Sequence, residues 1–178
     1  MGLLSDLRVL YHMVARPVRG RTHAERLDSF YAGQSADYDR FRERLLSGRA
    51  ELWEDLQVDQ LVAADDVIWV VMGGGTGSNL EYFGDAIHRL RKVYVVDLSK
   101  SLLEVARARA QRNGWKHVEV VEADATQFRP AEGAADVVTF SYSLTMIPNW
   151  FSALENAAAC LKPGGRIGIV DFYVSRKY

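Results

Sequence analysis

Cysteine is nearly missing from this chain: Cys160 stands alone in 178 residues. Neither an internal disulfide nor a cysteine-based zinc cluster can form, which suits a reducing compartment. Its setting, Ala157-Ala158-Ala159-Cys160-Leu161, is that of a small buried helix residue. No apolar run approaches the roughly 18 residues of a membrane span, and Asp6 and Arg8 interrupt the stretch where a secretory signal core would run. Excess charge is also lacking, and a formal net charge of -1 argues against general nucleic-acid binding. His12, His23, His88 and His117 are scattered without metal-ligand spacing, so each reads as a surface or helix residue and no metal site is expected. There are no internal repeats and no low-complexity segments.

What is present is ordinary globular composition, 48% hydrophobic and 25% charged, in a length that allows one domain with a sizeable core. The chain is organised around Val67-Ile68-Trp69-Val70-Val71-Met72-Gly73-Gly74-Gly75-Thr76-Gly77. Its six apolar residues without alternation predict a strand buried on both faces, and the glycines let the chain turn sharply from that strand into a helix, where a ligand can approach the backbone. A phosphate-gripping P-loop requires Gly-Lys-Ser/Thr, but Ser78-Asn79 follow Gly77. A dinucleotide fingerprint requires Gly-x-Gly-x-x-Gly; its last position is Ser78 counted from Gly73 and Leu80 counted from Gly75. The spacing that fits, Gly73-x-Gly75-x-Gly77, resembles the turn of S-adenosylmethionine-dependent methyltransferases with a Rossmann-like sheet. A glycine turn without ligand is the alternative.

A second buried strand, Val93-Tyr94-Val95-Val96-Asp97, ends in a carboxylate 20 positions after Gly77. That is close to the roughly 20-residue spacing at which such folds place an acid on ribose hydroxyls, with Leu98 beside it. Asp97 can equally cap the next helix, although Ser99 offers that service too. Strand and helix then alternate: a helix over Lys100 to Arg112 stopped by Asn113-Gly114, a strand at Val118 to Val121, a strand at Asp136 to Ser141, a helix from Pro148 to about Lys162-Pro163-Gly164-Gly165, and a strand at Arg166 to Phe172. The pattern predicts an α/β fold, a Rossmann-like mostly parallel sheet with helices on both faces. The methyltransferase resemblance sets Asp124 and the Ala125 amide against an adenine, with Asp124 as a plain turn residue the alternative. Ser141-Tyr142-Ser143-Leu144 arrive at the carboxyl edge of the sheet, where ligands bind in open α/β folds.

Residues 1–62 read as an N-terminal helical segment (cofactor lid, substrate and membrane contact), and 63–178 as the cofactor-binding core. Residues 1–50 carry nine Lys/Arg against six Asp/Glu. Leu3, Leu7, Leu10 and Val14 recur at helical spacing, with Arg8, Arg16, Arg19 and Arg21 along and just beyond the same helix. Such a helix either lies in a membrane interface, making the protein cytoplasmic and peripheral at the inner face, or packs on the domain. Thr22-His23-Ala24-Glu25 has capping-box spacing, predicting a helix from Thr22 to about Tyr31 with Gly33 ending it. A third helix starts near Ser35, and a fourth runs from Arg49 to Val62.

Phe30-Tyr31, Tyr38-Asp39-Arg40-Phe41-Arg42, Leu45-Leu46, Gly48-Arg49, the glycine turn, and Ser141-Tyr142-Ser143-Leu144-Thr145-Met146-Ile147-Pro148-Asn149-Trp150 together resemble the methyltransferase part of betaine-lipid synthases. The resemblance implies S-adenosylmethionine as cofactor, held by Gly73, Gly75, Gly77, Asp97, Leu98, Asp124, Ala125 and Ser141. It implies an acceptor amine on a lipid headgroup, diacylglyceryl-homoserine, with phosphatidylethanolamine or a small soluble amine as alternatives and a non-catalytic cofactor- or partner-binding module as the reading of another class. Tyr31, Tyr38 and Tyr142 are the residues to line the methyl path, with hydroxyl acceptors and π faces for a methylammonium product; ordinary aromatic packing is the alternative for each. Arg42 or Arg49 would fork onto a substrate carboxylate, against surface pairing with Asp39 or Glu43. Two departures stand out. Val71 occupies a position that the family usually fills with an acid, and the antiparallel strands that normally close such a sheet have no counterpart before Tyr178, which predicts a fragment, a partner covering the sheet edge, or an unusual edge.

Overall fold

The computed structural model describes residues 18–32, 39, 46–56 and 66–172. The expected basic helix before residue 18, the third helix near Ser35, Tyr38 and Arg42 lie outside the described residues.

Five strands form one parallel sheet in the order β3-β2-β1-β4-β5: β1 Ile68–Met72, β2 Lys92–Asp97, β3 Val118–Glu122, β4 Ala135–Ser141 and β5 Leu161–Val170. The central strand β1 shows why its run has no alternation. Trp69 and Val71 join a core cluster on one face with Leu52, Trp53, Leu80, Val95 and Leu103. Ile68, Val70 and Met72 join a second cluster on the other face with Val96, Phe140, Ala153 and Cys160. Successive strand side chains point to opposite faces, so a strand covered on both sides must be apolar at every position. Val70 pairs with Tyr94 of β2 on one side and Val138 of β4 on the other, and the indole N–H of Trp69 donates to Thr139 Oγ1 at 2.9 Å across the second pair.

Helix α1 (His23–Tyr31) begins as its sequence predicts. Thr22 Oγ1 accepts from the Glu25 N–H at 3.2 Å, and Glu25 Oε2 accepts from the N–H groups of Thr22 and Arg21 at 3.2 and 2.6 Å. Helix α2 (Arg49–Asp55) lies against β5, where a side chain at Gly168 would fall 2.6 Å from Leu56 Cδ1; the glycine lets the helix sit that close. Helix α3 (Lys100–Arg112) has the predicted bounds and is capped by Ser99, whose Oγ accepts from the Leu102 N–H. Helix α4 (Trp150–Cys160) covers the other face and buries Cys160 completely.

Two expectations need correction. The helix after the glycine turn is a 3-10 helix, Ser78–Arg89, broken at Gly84 (φ 49, ψ -134), a conformation open only to glycine. The fourth helix is described over Arg49–Asp55, and its expected continuation to Val62 lies outside the described residues. The Lys-Pro-Gly-Gly stretch is neither helix end nor plain turn: Leu161 pairs with Ala135 and Arg166 with Val137, so Lys162 to Gly165 bulge inside β5. The sheet has no antiparallel strand among the described residues.

Candidate functional site

The strand order reverses at β1. Its chain neighbour β2 lies on one side and β4 on the other, so the carboxyl ends of β1 and β4 open a crevice. Here the glycine turn and Tyr142-Ser143 face each other, and a cavity of about 320 Å³ extends from them along the ends of β2 and β3. That volume is within the range of small-molecule sites.

Each wall follows from local structure. Gly73 and Gly75 line the cavity with positive φ, 62° and 54°. Met72 and Gly73 are fastened from across the crevice by Ser143, which is buried and donates its hydroxyl to the Met72 carbonyl at 2.9 Å. At the end of β2, Asp97 accepts from the Gly75 N–H on Oδ2 and from the Ser99 N–H on Oδ1, both at 2.9 Å. Two backbone donors, one on each oxygen, fix the plane of the carboxylate at the cavity wall. After β3, Asp124 Oδ1 accepts both the N–H and the hydroxyl of Thr126 at 2.8 Å, the turn geometry that stood as the alternative to an adenine contact, and Asp124, Ala125 and Thr126 all line the wall. Leu98 lines the same end.

Helix α1 forms the roof. His23, Leu27 and Tyr31 recur every fourth residue, and this stripe faces the cavity. Tyr31 is buried, its ring edge-on to Phe30 with centroids 4.9 Å apart. Tyr142 sits opposite in the left-handed region, φ 53°, unusual for a bulky residue. Its hydroxyl donates to the Ser47 carbonyl, its N–H to the Val170 carbonyl at 2.7 Å, and its ring meets Phe172 at 5.0 Å, so three contacts hold the strained backbone. Met146, Ile147, Pro148 and Asn149 complete the mouth, and beside it Trp150 and Phe151 are 45% and 66% exposed with ring centroids 4.2 Å apart. Among the described lining residues the carboxylates are Asp97 and Asp124, and there is no Lys or Arg.

Of the predicted residues, Gly73, Gly75, Asp97, Leu98, Asp124, Ala125, Tyr31 and Tyr142 therefore share one cavity. Gly77 does not line it. It caps the 3-10 helix at φ 70°, a left-handed conformation that favours glycine. Ser141 is the buried last residue of β4 and lies outside the lining; the residues after it reach the cavity. Arg49 is 3% exposed and outside the lining, its guanidinium carbon 5.9 Å from the Tyr82 ring centroid, with Nε and Nη2 lacking any hydrogen-bond partner. Helical spacing does not say which way a first-turn residue faces, and this one turns inward. Among the described residues, Asp39 pairs not with Arg49 but with Arg109 and Thr76. Its Oδ2 accepts from Arg109 Nη2 and its Oδ1 from the Thr76 hydroxyl, each at 2.5 Å, while Arg109 also donates to the Thr76 carbonyl and to Glu81 Oε1 at 2.9 Å. The buried guanidinium thus ties three segments under the glycine turn. Val71 is fully buried in the cluster of Trp69, Val95 and Leu103, where an unpaired carboxylate would be costly.

The sequence does not single out His23, Leu27 and Thr126 as site residues, and it places Ser143 at the sheet edge without a role. For His23 and Leu27 the signal was present in their four-residue spacing to Tyr31. Among the described residues no group of three His, Cys, Asp or Glu could hold a metal ion, and no helix is long and apolar enough to cross a membrane.

A family model described as the ubiE/COQ5 methyltransferase family matches residues 20–177. The chain is 24% identical over 151 residues to the demethylmenaquinone methyltransferase of Lactococcus lactis subsp. lactis, covering 85% of this chain and 60% of that protein. It is 28% identical over 171 residues to the ubiquinone/menaquinone biosynthesis C-methyltransferase UbiE of Pseudomonas fluorescens, covering 94% and 66%. The chain thus spans about six tenths of the length of the curated relatives it matches. A crystal structure of a SAM-dependent methyltransferase from Geobacter sulfurreducens, in complex with S-adenosyl-L-homocysteine, aligns with a TM-score of 0.51 at 22% identity, over 65% of this chain and 47% of that one, which shows the shared fold.

Proposed function

The chain belongs to the ubiE/COQ5 methyltransferase family, and on that premise we propose that it transfers the methyl group of S-adenosylmethionine to a ring carbon of a quinone precursor with an apolar tail. The named relatives act in demethylmenaquinone and ubiquinone/menaquinone methylation. The observation that carries the acceptor class is the mouth. Met146, Ile147 and Pro148 line it, Trp150 and Phe151 extend it, and no Lys or Arg among the described lining residues waits for a phosphate or carboxylate.

The cavity suits the cofactor: close backbone approach at Gly73 and Gly75, the orientated carboxylate of Asp97 for ribose hydroxyls, and the Asp124-Ala125 turn for an adenine edge. When bound, S-adenosylmethionine supplies an electrophilic sulfonium methyl, which leaves with a new bond to the nucleophile as the sulfonium becomes a thioether. The protein's contribution is position. The turn and Asp97 anchor one reactant, Tyr31 and Tyr142 wall the space between, and the α1 roof excludes water, so that a reduced, electron-rich ring is held in line for displacement.

An amine on a lipid headgroup is the second reading. It is favoured by the two tyrosines in the cavity, whose faces suit a methylammonium, and disfavoured by Arg49 lying off the cavity and by relatives named for quinone C-methylation. Transfer of labelled methyl from S-adenosylmethionine to reduced demethylmenaquinone and, in parallel, to extracted membrane lipids separates the two. Label in the quinone is the expected result; label in an aminolipid with none in the quinone would replace the proposal with the second reading.

A further inference from the structure

Asp28 lies on α1 beside the stripe that roofs the cavity, and it is a point where that helix meets the core. Its Oδ1 accepts from the Ser101 N–H at 2.9 Å, the Ser101 hydroxyl at 2.8 Å and the Ser99 hydroxyl at 3.1 Å. These donors belong to the cap and first turn of the 13-residue helix α3, whose N-terminal end favours a negative charge. Burial pushes the Asp28 carboxyl up, but the Ser101 N–H, the two hydroxyls and the nearby Lys100 charge outweigh it, and its pKa lies below the ordinary value. Ser99 also donates its N–H to Asp97 Oδ1, and Asp97 Oδ2 accepts from Gly75. A continuous hydrogen-bonded line therefore runs from the glycine turn through Asp97 and Ser99 to Asp28, and from there into the helix carrying His23, Leu27 and Tyr31.

We infer that Asp28 is a positioning residue, the latch that holds α1 closed over bound cofactor and links roof closure to the ribose end of the site. The inference rests on the cofactor reading above. Asp97 and Asp28 share Ser99 as a donor from two of its groups, so an Asp97 carboxylate braced by ligand hydroxyls keeps Ser99 placed for Asp28. Without the latch, the roof still forms, because its capping box is internal to residues 21–25, but it opens more often.

The test is the dissociation rate of S-adenosylhomocysteine from wild type, Asp28→Ala, Asp28→Glu and Ser101→Ala, with hydrogen exchange read over residues 23–31. The latch predicts a dissociation rate about tenfold faster for Asp28→Ala, the size expected for losing one set of charge-assisted hydrogen bonds. It predicts an intermediate rate for Ser101→Ala, partial restoration in Asp28→Glu, a melting temperature close to wild type, and faster exchange in 23–31 while 100–112 stays protected. Unchanged dissociation in Asp28→Ala would overturn the latch, as would a faster rate that Asp28→Glu does not restore and that comes with general loss of stability. A wild-type protein that fails to bind S-adenosylhomocysteine overturns the cofactor reading and the coupling with it. Exchange in the ligand-free variants then decides separately whether Asp28 holds the helix.

Discussion

Ser143 stands where a side chain on Gly73 would have to be: a Cβ built on Gly73 falls 2.4 Å from the Ser143 Cβ. Two strand ends, β1 and β4, are thereby brought within van der Waals contact at the floor of the cavity, and the Ser143 hydroxyl seals the approach through the Met72 carbonyl.

Gly73→Ala meets two obstacles, the overlap with Ser143 and a φ of 62°. The backbone conformation alone costs about 1–3 kcal/mol for a non-glycine residue. Thermal melting should show a large loss for Gly73→Ala and partial recovery when Ser143→Gly is added, because that change removes the overlap and leaves the φ. Equal melting temperatures for the single and double variants would show that the contact does not shape the floor.

Asp97→Ala removes the acceptor for both the Gly75 and Ser99 N–H groups as well as any ribose contact. Calorimetry should record cofactor binding weaker by about 1–3 kcal/mol. A dissociation constant equal to wild type would take Asp97 out of the site.

Arg49 presents a buried charge with no ion pair among the described residues, its Nε and Nη2 unpartnered and the Tyr82 ring centroid 5.9 Å away. Desolvating a guanidinium without a counter-charge is unfavourable by several kcal/mol, so Arg49→Met, which keeps the volume, should stabilise the fold by about 1 kcal/mol or more after the loss of the cation–π contact. Denaturant midpoints measure this, and a lower midpoint for the variant would contradict it.

Tyr94 donates its hydroxyl to Glu132 Oε2 at 2.8 Å and accepts from the Ala131 N–H at 3.3 Å. Burial, then the bond to Glu132, push its pKa up to about 12. The folded state therefore holds this proton more tightly than the unfolded chain, where a tyrosine titrates near about 10. The resulting stabilisation is complete below about pH 10 and is lost as the pH rises from there toward 12. Melting curves between pH 9 and 12 should fall more steeply for wild type than for Tyr94→Phe, and parallel curves would show that Tyr94 is not the group responsible.

The parts of this fold legible in the sequence are those in which one local pattern suffices. Continuous apolar runs gave β1 and β2, Thr22 and Glu25 gave the start of α1, and Ser99 with Asn113-Gly114 bounded α3. The glycine spacing and Asp97 located the crevice because the parallel sheet brings successive strand ends to one edge. Illegible were features that depend on which distant groups meet. Asp28 and Ser101 are 73 residues apart, and Asp39 and Arg109 are 70 apart. Nothing near Arg49 says that its helix turns it inward against β5 and Tyr82, and a lone histidine such as His23 gains meaning only when α1 is laid across the cavity. Similarity to betaine-lipid synthases reached the methyltransferase level, where the family match agrees, while the relatives named are quinone C-methyltransferases.

The central place of β1 also sets a schedule for synthesis. Trp69 finds its partner Val93 soon after it is made, but its partner on the other edge, Val137, follows far later in the chain. At roughly 5–20 residues per second, β1 leaves the ribosome about 3–14 s before β4 can cover it. During that interval an apolar strand offers an open row of backbone donors and acceptors to any neighbouring nascent chain. The residue order that builds the crevice therefore also leaves one edge of its central strand unpaired until β4 has been made.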